Sequence, residues 1–182
     1  MNLPNKITVA RMCMVPFFVF FMLVDSIPYH NYIAEIIFVV ASLTDALDGY
    51  LARKNNLVSN FGKFMDPLAD KLLVCSALIC FVAIPDISMP AWVVIIIIAR
   101  EFIISGFRLV ASDAGIVIAA NYWGKIKTVV QMITVIVLIL QLPGDAAHMA
   151  EQILIYASVI LTVISLIDYV WTNRKVIIDE NM

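Results

Sequence analysis

Six apolar segments dominate this sequence, each close to the roughly 20 residues that a helix needs to cross a bilayer. Pro, Gly and clusters of charge separate the segments, which lie near residues 6–24, 32–53, 65–84, 90–110, 122–142 and 150–172. Apolar residues make up 63% of the chain, whereas soluble globular proteins contain about 45–50%. The sequence therefore predicts an all-α polytopic membrane protein with six transmembrane helices, forming a single transmembrane domain over residues 1–182.

The distribution of basic residues predicts how the helices are oriented. The connections 25–31, 85–89 and 143–149 contain no Lys or Arg. Basic residues lie instead near both termini and around the second and fourth connections, at Lys6, Arg11, Arg53, Lys54, Lys63, Arg108, Lys125, Lys127, Arg174 and Lys175. By the positive-inside rule, both termini and these two connections are cytoplasmic, in a multi-pass protein of the cell membrane. The formal net charge of −2 provides no basic field for a nucleic-acid partner.

Four carboxylates interrupt this apolar chain between residues 45 and 70. Asp45 and Asp48 are three residues apart, and Asp66 and Asp70 are four apart, so on helices each pair projects from one face. A short connection makes the second and third predicted helices antiparallel neighbours. We therefore expect both pairs to meet at the cytoplasmic boundary of the membrane.

Unpaired carboxylates at such a boundary would repel one another and pay a large desolvation cost, so a cation must neutralise them. Hard oxygen ligands suit Mg²⁺, Mn²⁺ or Ca²⁺, and Mg²⁺ commonly bridges carboxylates and substrate phosphates. Gly49 and Ala52 leave the neighbouring helix surface nearly bare, so that a flat nucleotide could lie against it, and Gly62 could act likewise or form a turn. The alternative is a hydrated loop whose acids bind nothing, but acids in a membrane protein usually have a function.

These residues follow the pattern D-x2-D-G-x2-A-R-x8-G-x3-D-x3-D, at Asp45, Asp48, Gly49, Ala52, Arg53, Gly62, Asp66 and Asp70. The pattern resembles the signature of the CDP-alcohol phosphotransferase family without departure. Eight fixed positions make the match far more specific than a lone glycine motif. Within the family, residues 2–11, 99–108 and 124–128 resemble the bacterial branch whose acceptor is sn-glycerol 3-phosphate.

The resemblance implies an enzyme that transfers a phosphatidyl group from CDP-diacylglycerol to sn-glycerol 3-phosphate and releases CMP, acting in membrane lipid as a homodimer. It also implies two divalent ions, Mg²⁺ or Mn²⁺. The implied metal ligands are Asp45, Asp48, Asp66 and Asp70, with Asp70 also the general base toward the acceptor hydroxyl. The implied contacts of the cytidine diphosphate group are Asn5, Thr8, Gly49, Ala52, Arg53 and Gly62.

An acceptor that carries a phosphate requires cations outside this motif. Glu101, Ser105 and Arg108 lie at i, i+4 and i+7, which predicts one polar stripe facing the interior. Lys125 and Thr128 form a shorter stripe at the start of the fifth helix. Arg108 and Lys125 are therefore the first candidates for the phosphate.

Lys71, Arg100 and Lys127 are weaker candidates for the same role. Lys127 points away from Lys125 on an ideal helix, and we interpret it as an anchor that reaches lipid headgroups. Arg100 lies too deep for such an anchor, and its neighbour Glu101 projects about 100° away. Arg100 is therefore expected to have a partner on another helix, either in a structural buried pair or in the substrate.

Three alternative functions remain open at this point. A member of the same family could use another acceptor alcohol, such as inositol phosphate or serine. A membrane prenyltransferase also uses aspartate pairs and Mg²⁺, but generally has more spans and two separated Asp-rich motifs. A cation transporter would place its acids near the bilayer midplane in broken helices, and the sequence shows neither.

Overall fold

The structure of the protein is a computed structural model that describes residues 3–54, 60–113, 116, 118 and 121–174. Within these ranges, the side chains of residues 3–5, 45–54, 60–67, 70 and 113 lie outside the description. The described residues form six helices and no strand, which confirms the prediction of an all-α fold. The helices are α1 Leu3–Leu23, α2 His30–Lys54, α3 Asn60–Ala83, α4 Ala91–Asp113, α5 Tyr122–Leu140 and α6 Asp145–Thr172.

The helices divide into two compact units. The first contains α1, α2, α3 and residues Val135–Leu142, which include the end of α5. In this unit α1 packs against both α2 and α3, and α2 also contacts α3. Small buried residues at Ala34, Ala41 and Ala77 let the backbones approach closely. The rings of Phe18 and Phe38 fill the space between α1 and α2, with centroids 5.8 Å apart.

The second unit contains α4, α5 as far as Thr134, and α6. Here α4 packs against α6. The buried face of α6 carries hydroxyl side chains at Ser158, Thr162 and Ser165 as well as apolar ones. Ser158 Oγ lies 2.8 Å from Thr134 Oγ1, so a hydroxyl pair links α5 to α6 inside the unit.

The distribution of polarity in α6 is that of a membrane helix. Its exposed side includes Ile153, Ile160 and Ile167, which are 62%, 57% and 62% exposed, whereas its buried side carries the hydroxyls. Water would favour the reverse arrangement, while lipid solvates the apolar side and leaves polar groups to pair inside. The fold is therefore arranged to sit in a bilayer.

Within the described parts of the chain, three helices are long and apolar enough to cross a membrane: Lys6–Leu23 in α1, Tyr122–Leu140 in α5 and Asp145–Thr172 in α6. Shorter apolar stretches lie in α2 and α3, at His30–Thr44 and Lys71–Ala83. The ends of the six observed helices fall within five residues of the predicted spans. That all six cross the bilayer, and that both termini are cytoplasmic, stay predictions.

Candidate active site

The four aspartates lie in the two helices that the sequence predicts for them. Asp45 and Asp48 belong to the last part of α2, and Asp66 and Asp70 to the first half of α3. The backbone is helical at all four positions, so each pair has the spacing of one helix face. Because α2 and α3 contact each other in the first unit, the helices that carry the two pairs are neighbours.

The side chains of the motif lie outside the described residues. This applies to Asp45, Asp48, Gly49, Ala52, Arg53, Gly62, Asp66 and Asp70, and also to Asn5. Their predicted roles therefore stay predictions. Among the side chains that the structure does describe, no three His, Cys, Asp or Glu residues come together as a metal site.

The α1 helix brings two polar side chains into the interior of the first unit. Thr8 is fully buried, and Arg11, one turn later, is 1% exposed. Both continue the buried face that α1 forms with Val15 and Phe18. A guanidinium at this depth needs anionic or hydrogen-bonding partners. The positive-inside rule treated Arg11 as a charge that orients the helix. Its position one turn after Thr8 places both side chains on one helix face, and this spacing could have indicated a buried polar pair.

In the second unit, α4 and α5 meet at a half-buried carboxylate, that of Glu101. Glu101 Oε1 accepts hydrogen bonds from Arg100 Nη1 at 3.0 Å and from Lys127 Nζ at 2.5 Å. Arg100 Nε also donates to Ser165 Oγ of α6 at 3.1 Å. We call these four residues the Glu101 cluster. It joins α4, α5 and α6 and contains two cations and one anion.

The Glu101 cluster corrects two expectations from the sequence. Lys127 is 3% exposed and ion-paired, so its interpretation as a lipid-headgroup anchor is wrong. Arg100 has the expected partner on another helix, Ser165, but it also pairs with Glu101, from which it had been expected to project away. Ideal helix angles describe Cβ directions, and both side chains are long enough to close an angle of about 100°.

Asn121 fixes the start of α5 beside this cluster. Its Oδ1 accepts a hydrogen bond from Gly124 N at 2.9 Å, as an N-cap residue does. Its Nδ2 donates to Asp168 Oδ2 of α6. A Cβ at Gly124 would lie 2.8 Å from Asn121 Oδ1 and 3.3 Å from Arg100 Nη2. A larger side chain at position 124 would therefore displace the Asn121 cap or the Arg100 guanidinium.

The cap gives a testable result for stability. Asn121→Ala should lower the stability of the protein by about 1–2 kcal/mol, because α5 loses its N-cap and its link to Asp168. The change is measured as the midpoint of thermal unfolding in detergent. Asn121→Ser retains a capping oxygen and should lose less. Equal losses in the two variants would contradict a capping role.

Arg108 and Lys125 differ from the cations of the Glu101 cluster. Both are exposed, so the expectation that the Glu101, Ser105 and Arg108 stripe faces the interior fails at Arg108. Positions 101 and 108 lie only about 20° apart around an ideal helix, so the difference comes from their neighbours: Glu101 is flanked by Arg100 and Lys127, whereas Arg108, nearer the end of α4, lies beside the ring of Tyr169. Ser105 Oγ donates to the backbone oxygen of Glu101 at 2.5 Å, and Arg108 lies over the ring of Tyr169, 5.7 Å from its centroid. Lys71, beside Asp70, is half-buried.

Comparison with known proteins agrees with the motif. The profile of the CDP-alcohol phosphatidyltransferase family matches residues 1–164. A CDP-diacylglycerol--glycerol-3-phosphate 3-phosphatidyltransferase of Bacillus subtilis is 46% identical, over 99% of this chain and 99% of the relative. The Haemophilus influenzae protein of the same name is 38% identical, over 98% and 97%. A probable phosphatidylglycerophosphate synthase of Mycobacterium tuberculosis is 38% identical, over 93% and 80%.

The family match covers α1 to α5 and most of α6, including the aspartate signature, Arg100, Glu101 and Lys127. The relatives align over nearly the full chain, so the likeness is not confined to the motif. Together with the all-helical, lipid-adapted fold, these matches settle the classification. The chain belongs to the CDP-alcohol phosphatidyltransferase family.

Proposed function

We propose that this protein transfers a phosphatidyl group from CDP-diacylglycerol to sn-glycerol 3-phosphate, giving phosphatidylglycerophosphate and CMP. The observation that carries the proposal is the identity of 46% over 99% of the chain with a relative that bears this activity in its name. The aspartate signature on two neighbouring helices supports the same chemistry.

The donor atoms of the aspartate signature suit divalent metal ions. Four carboxylates at helical spacings of three and four, on helices in contact, offer hard oxygen ligands of the kind that Mg²⁺ and Mn²⁺ prefer. Asp45, Asp48, Asp66 and Asp70 would hold two such ions. When bound, the ions neutralise charge on the attacking and leaving oxygens of a phosphoryl transfer.

Asp70 acts on the acceptor in this proposal. The acceptor hydroxyl attacks the phosphorus of the phosphatidyl group, the bond from that phosphorus to the oxygen of CMP breaks, and CMP leaves. Asp70 accepts the hydroxyl proton as the new phosphorus–oxygen bond forms, since a carboxylate is too weak a base to remove it beforehand. Gly49, Ala52 and Gly62, with Arg53, Asn5 and Thr8 nearby, would accommodate the cytidine diphosphate group.

Arg108 and Lys125 are the cations that we assign to the acceptor's phosphate. Both are exposed, and neither has a carboxylate within ion-pair distance in the part of the chain that the structure describes. Arg100 and Lys127 are already paired with Glu101, so we assign them a structural role at this site. Lys71 is a weaker candidate for binding the acceptor's phosphate, because it directly follows Asp70 in the sequence.

The proposed site lies at the cytoplasmic face of the cell membrane. Lipid tails then stay in the bilayer, while CMP and glycerol phosphate exchange with the cytosol. The bias of basic residues toward this side supports the orientation. The resemblance adds a homodimer as an expectation.

The choice of acceptor can be tested by CMP release. Purified protein with Mg²⁺ or Mn²⁺ and CDP-diacylglycerol should release CMP with sn-glycerol 3-phosphate, but little with inositol, serine or glycerol. Glycerol is the matched control, because it offers the same hydroxyls without the phosphate that Arg108 and Lys125 would bind. Equal release with all four alcohols would refute the phosphate site.

A further inference from the structure

Among the residues that the structure describes, Arg108 has one specific side-chain contact. Its guanidinium carbon lies 5.7 Å from the centroid of the Tyr169 ring, within the range of a cation–π contact. None of the carboxylates that the structure describes forms an ion pair with it. The remainder of the side chain is exposed. An arginine of this kind samples many rotamers unless something holds it.

Tyr169 is itself held firmly and can therefore restrict the rotamers of Arg108. It lies on the buried face of α6 and is 2% exposed. The ring of Phe107 packs edge-on against it, with centroids 5.7 Å apart and an interplanar angle of 84°. Phe107 and Arg108, which are consecutive in α4, therefore both contact the ring of Tyr169 in α6.

The ring of Tyr169, and not its hydroxyl, provides this contact. The hydroxyl is buried and has no hydrogen-bond partner among the described residues. A cation over the face of a ring keeps the N–H donors of its guanidinium plane available. Arg108 can consequently rest on Tyr169 and still present two parallel donors to an anionic oxygen pair.

We infer that Tyr169 is a positioning residue, which holds Arg108 ready for the phosphate of the acceptor. The inference rests on the proposed function, because it takes Arg108 as a phosphate ligand. It adds a residue of α6 that lies outside the aspartate signature and touches neither nucleotide nor metal. Loss of the Tyr169 ring should therefore change the KM for glycerol phosphate and leave the KM for CDP-diacylglycerol unchanged.

The test compares Michaelis constants for the two substrates. Tyr169→Leu should raise the KM for sn-glycerol 3-phosphate about twofold to fivefold, the range for loss of an exposed cation–π contact. Its KM for CDP-diacylglycerol and its kcat should stay near the wild-type values. Tyr169→Phe keeps the ring and should retain the wild-type KM. A merely structural defect would change all three constants together and would not be rescued by phenylalanine.

Tyr156→Leu is the matched control for loss of an aromatic ring. Tyr156 lies on the same helix, about 20 Å away along its axis, and pairs with Trp92 at a centroid distance of 6.4 Å. It contacts no cation among the described residues. The KM for glycerol phosphate should not change in this variant.

A second variant keeps the test decisive if Tyr169→Leu does not fold. Trifluorophenylalanine at position 169 has the size of phenylalanine but a weaker negative ring face, so it should raise the same KM. The Arg108→Ala/Tyr169→Leu double variant should be no worse than Arg108→Ala alone.

The outcomes separate the inference from the function it rests on. A raised KM in Arg108→Ala with a wild-type KM in both the leucine and trifluorophenylalanine variants would overturn the role of Tyr169. Full additivity in the double variant would do the same. No CMP release by the wild-type protein with glycerol phosphate would instead overturn the proposed function.

Discussion

Replacing Asp70 with asparagine should lower the rate of CMP release by about 10²–10⁴-fold, the contribution usual for a general base. Asparagine has nearly the same shape but cannot accept the acceptor's proton. Binding of CDP-diacylglycerol should stay largely intact, because the glycines and Arg53 assigned to the nucleotide are unchanged. The measurements are single-turnover CMP release with sn-glycerol 3-phosphate and equilibrium binding of the CDP-lipid.

Asp86→Asn provides the matched control for this substitution. Asp86 is exposed in the connection between α3 and α4, which the basic-residue pattern places on the opposite side of the membrane. The same chemical change there should leave turnover at the wild-type level. Near-normal turnover in Asp70→Asn would remove Asp70 from the base role, whereas joint loss of turnover and CDP-lipid binding would assign it to the metal site alone.

Replacing Glu101 with glutamine should destabilise the protein by about 2–3 kcal/mol. Removal of one partner of a buried ion pair costs about 3–5 kcal/mol, and the partial exposure of Glu101, 17% for its side chain, reduces that figure. Glutamine keeps an oxygen at the same place, so the loss reports the charge. Arg100 and Lys127, 8% and 3% exposed, would lose the negative charge that they share. The measurement is thermal unfolding in detergent.

The Glu101 cluster predicts that loss of a cation lowers stability less than loss of the carboxylate, and this difference serves as the control. Lys127→Met should cost less than Glu101→Gln, because Arg100 still neutralises Glu101. In the double variant, Lys127→Met should recover part of the stability that Glu101→Gln loses, since one of the two cations that shared the lost charge is removed. Equal stability of wild type and Glu101→Gln would mean that Glu101 does not bind these two cations.

The helices were predictable from local sequence because a membrane constrains them so strongly. A backbone in lipid must satisfy its hydrogen bonds within the segment, so each long apolar run has to be helical. Pro, Gly and charge then delimit the runs, and α1 to α6 begin and end close to those limits. The aspartate signature is likewise local, because its spacings need only a helix to pair its members.

The partners of the basic residues were not predictable in this way. Sequence position placed Lys127 with the lipid anchors and separated Arg100 from Glu101. The structure instead joins all three at one carboxylate oxygen. Arg11, counted as an orienting charge, is 1% exposed within the first unit. Long flexible side chains reach several neighbours, so their choice depends on which helices pack together.

The sequence by itself determined an all-helical membrane fold, the family and the four aspartates to which we assign its chemistry. Only the tertiary structure decided which cations are held by Glu101 and which rest exposed, as Arg108 does over Tyr169. The physical reason is the distance along the sequence over which each kind of interaction acts. Helix formation and same-face spacing depend on residues within a turn or two of each other. Hydrogen bonds and ring contacts between side chains join distant positions, such as 100 with 165 and 108 with 169. Only the packing of α4 against α6 brings these positions together.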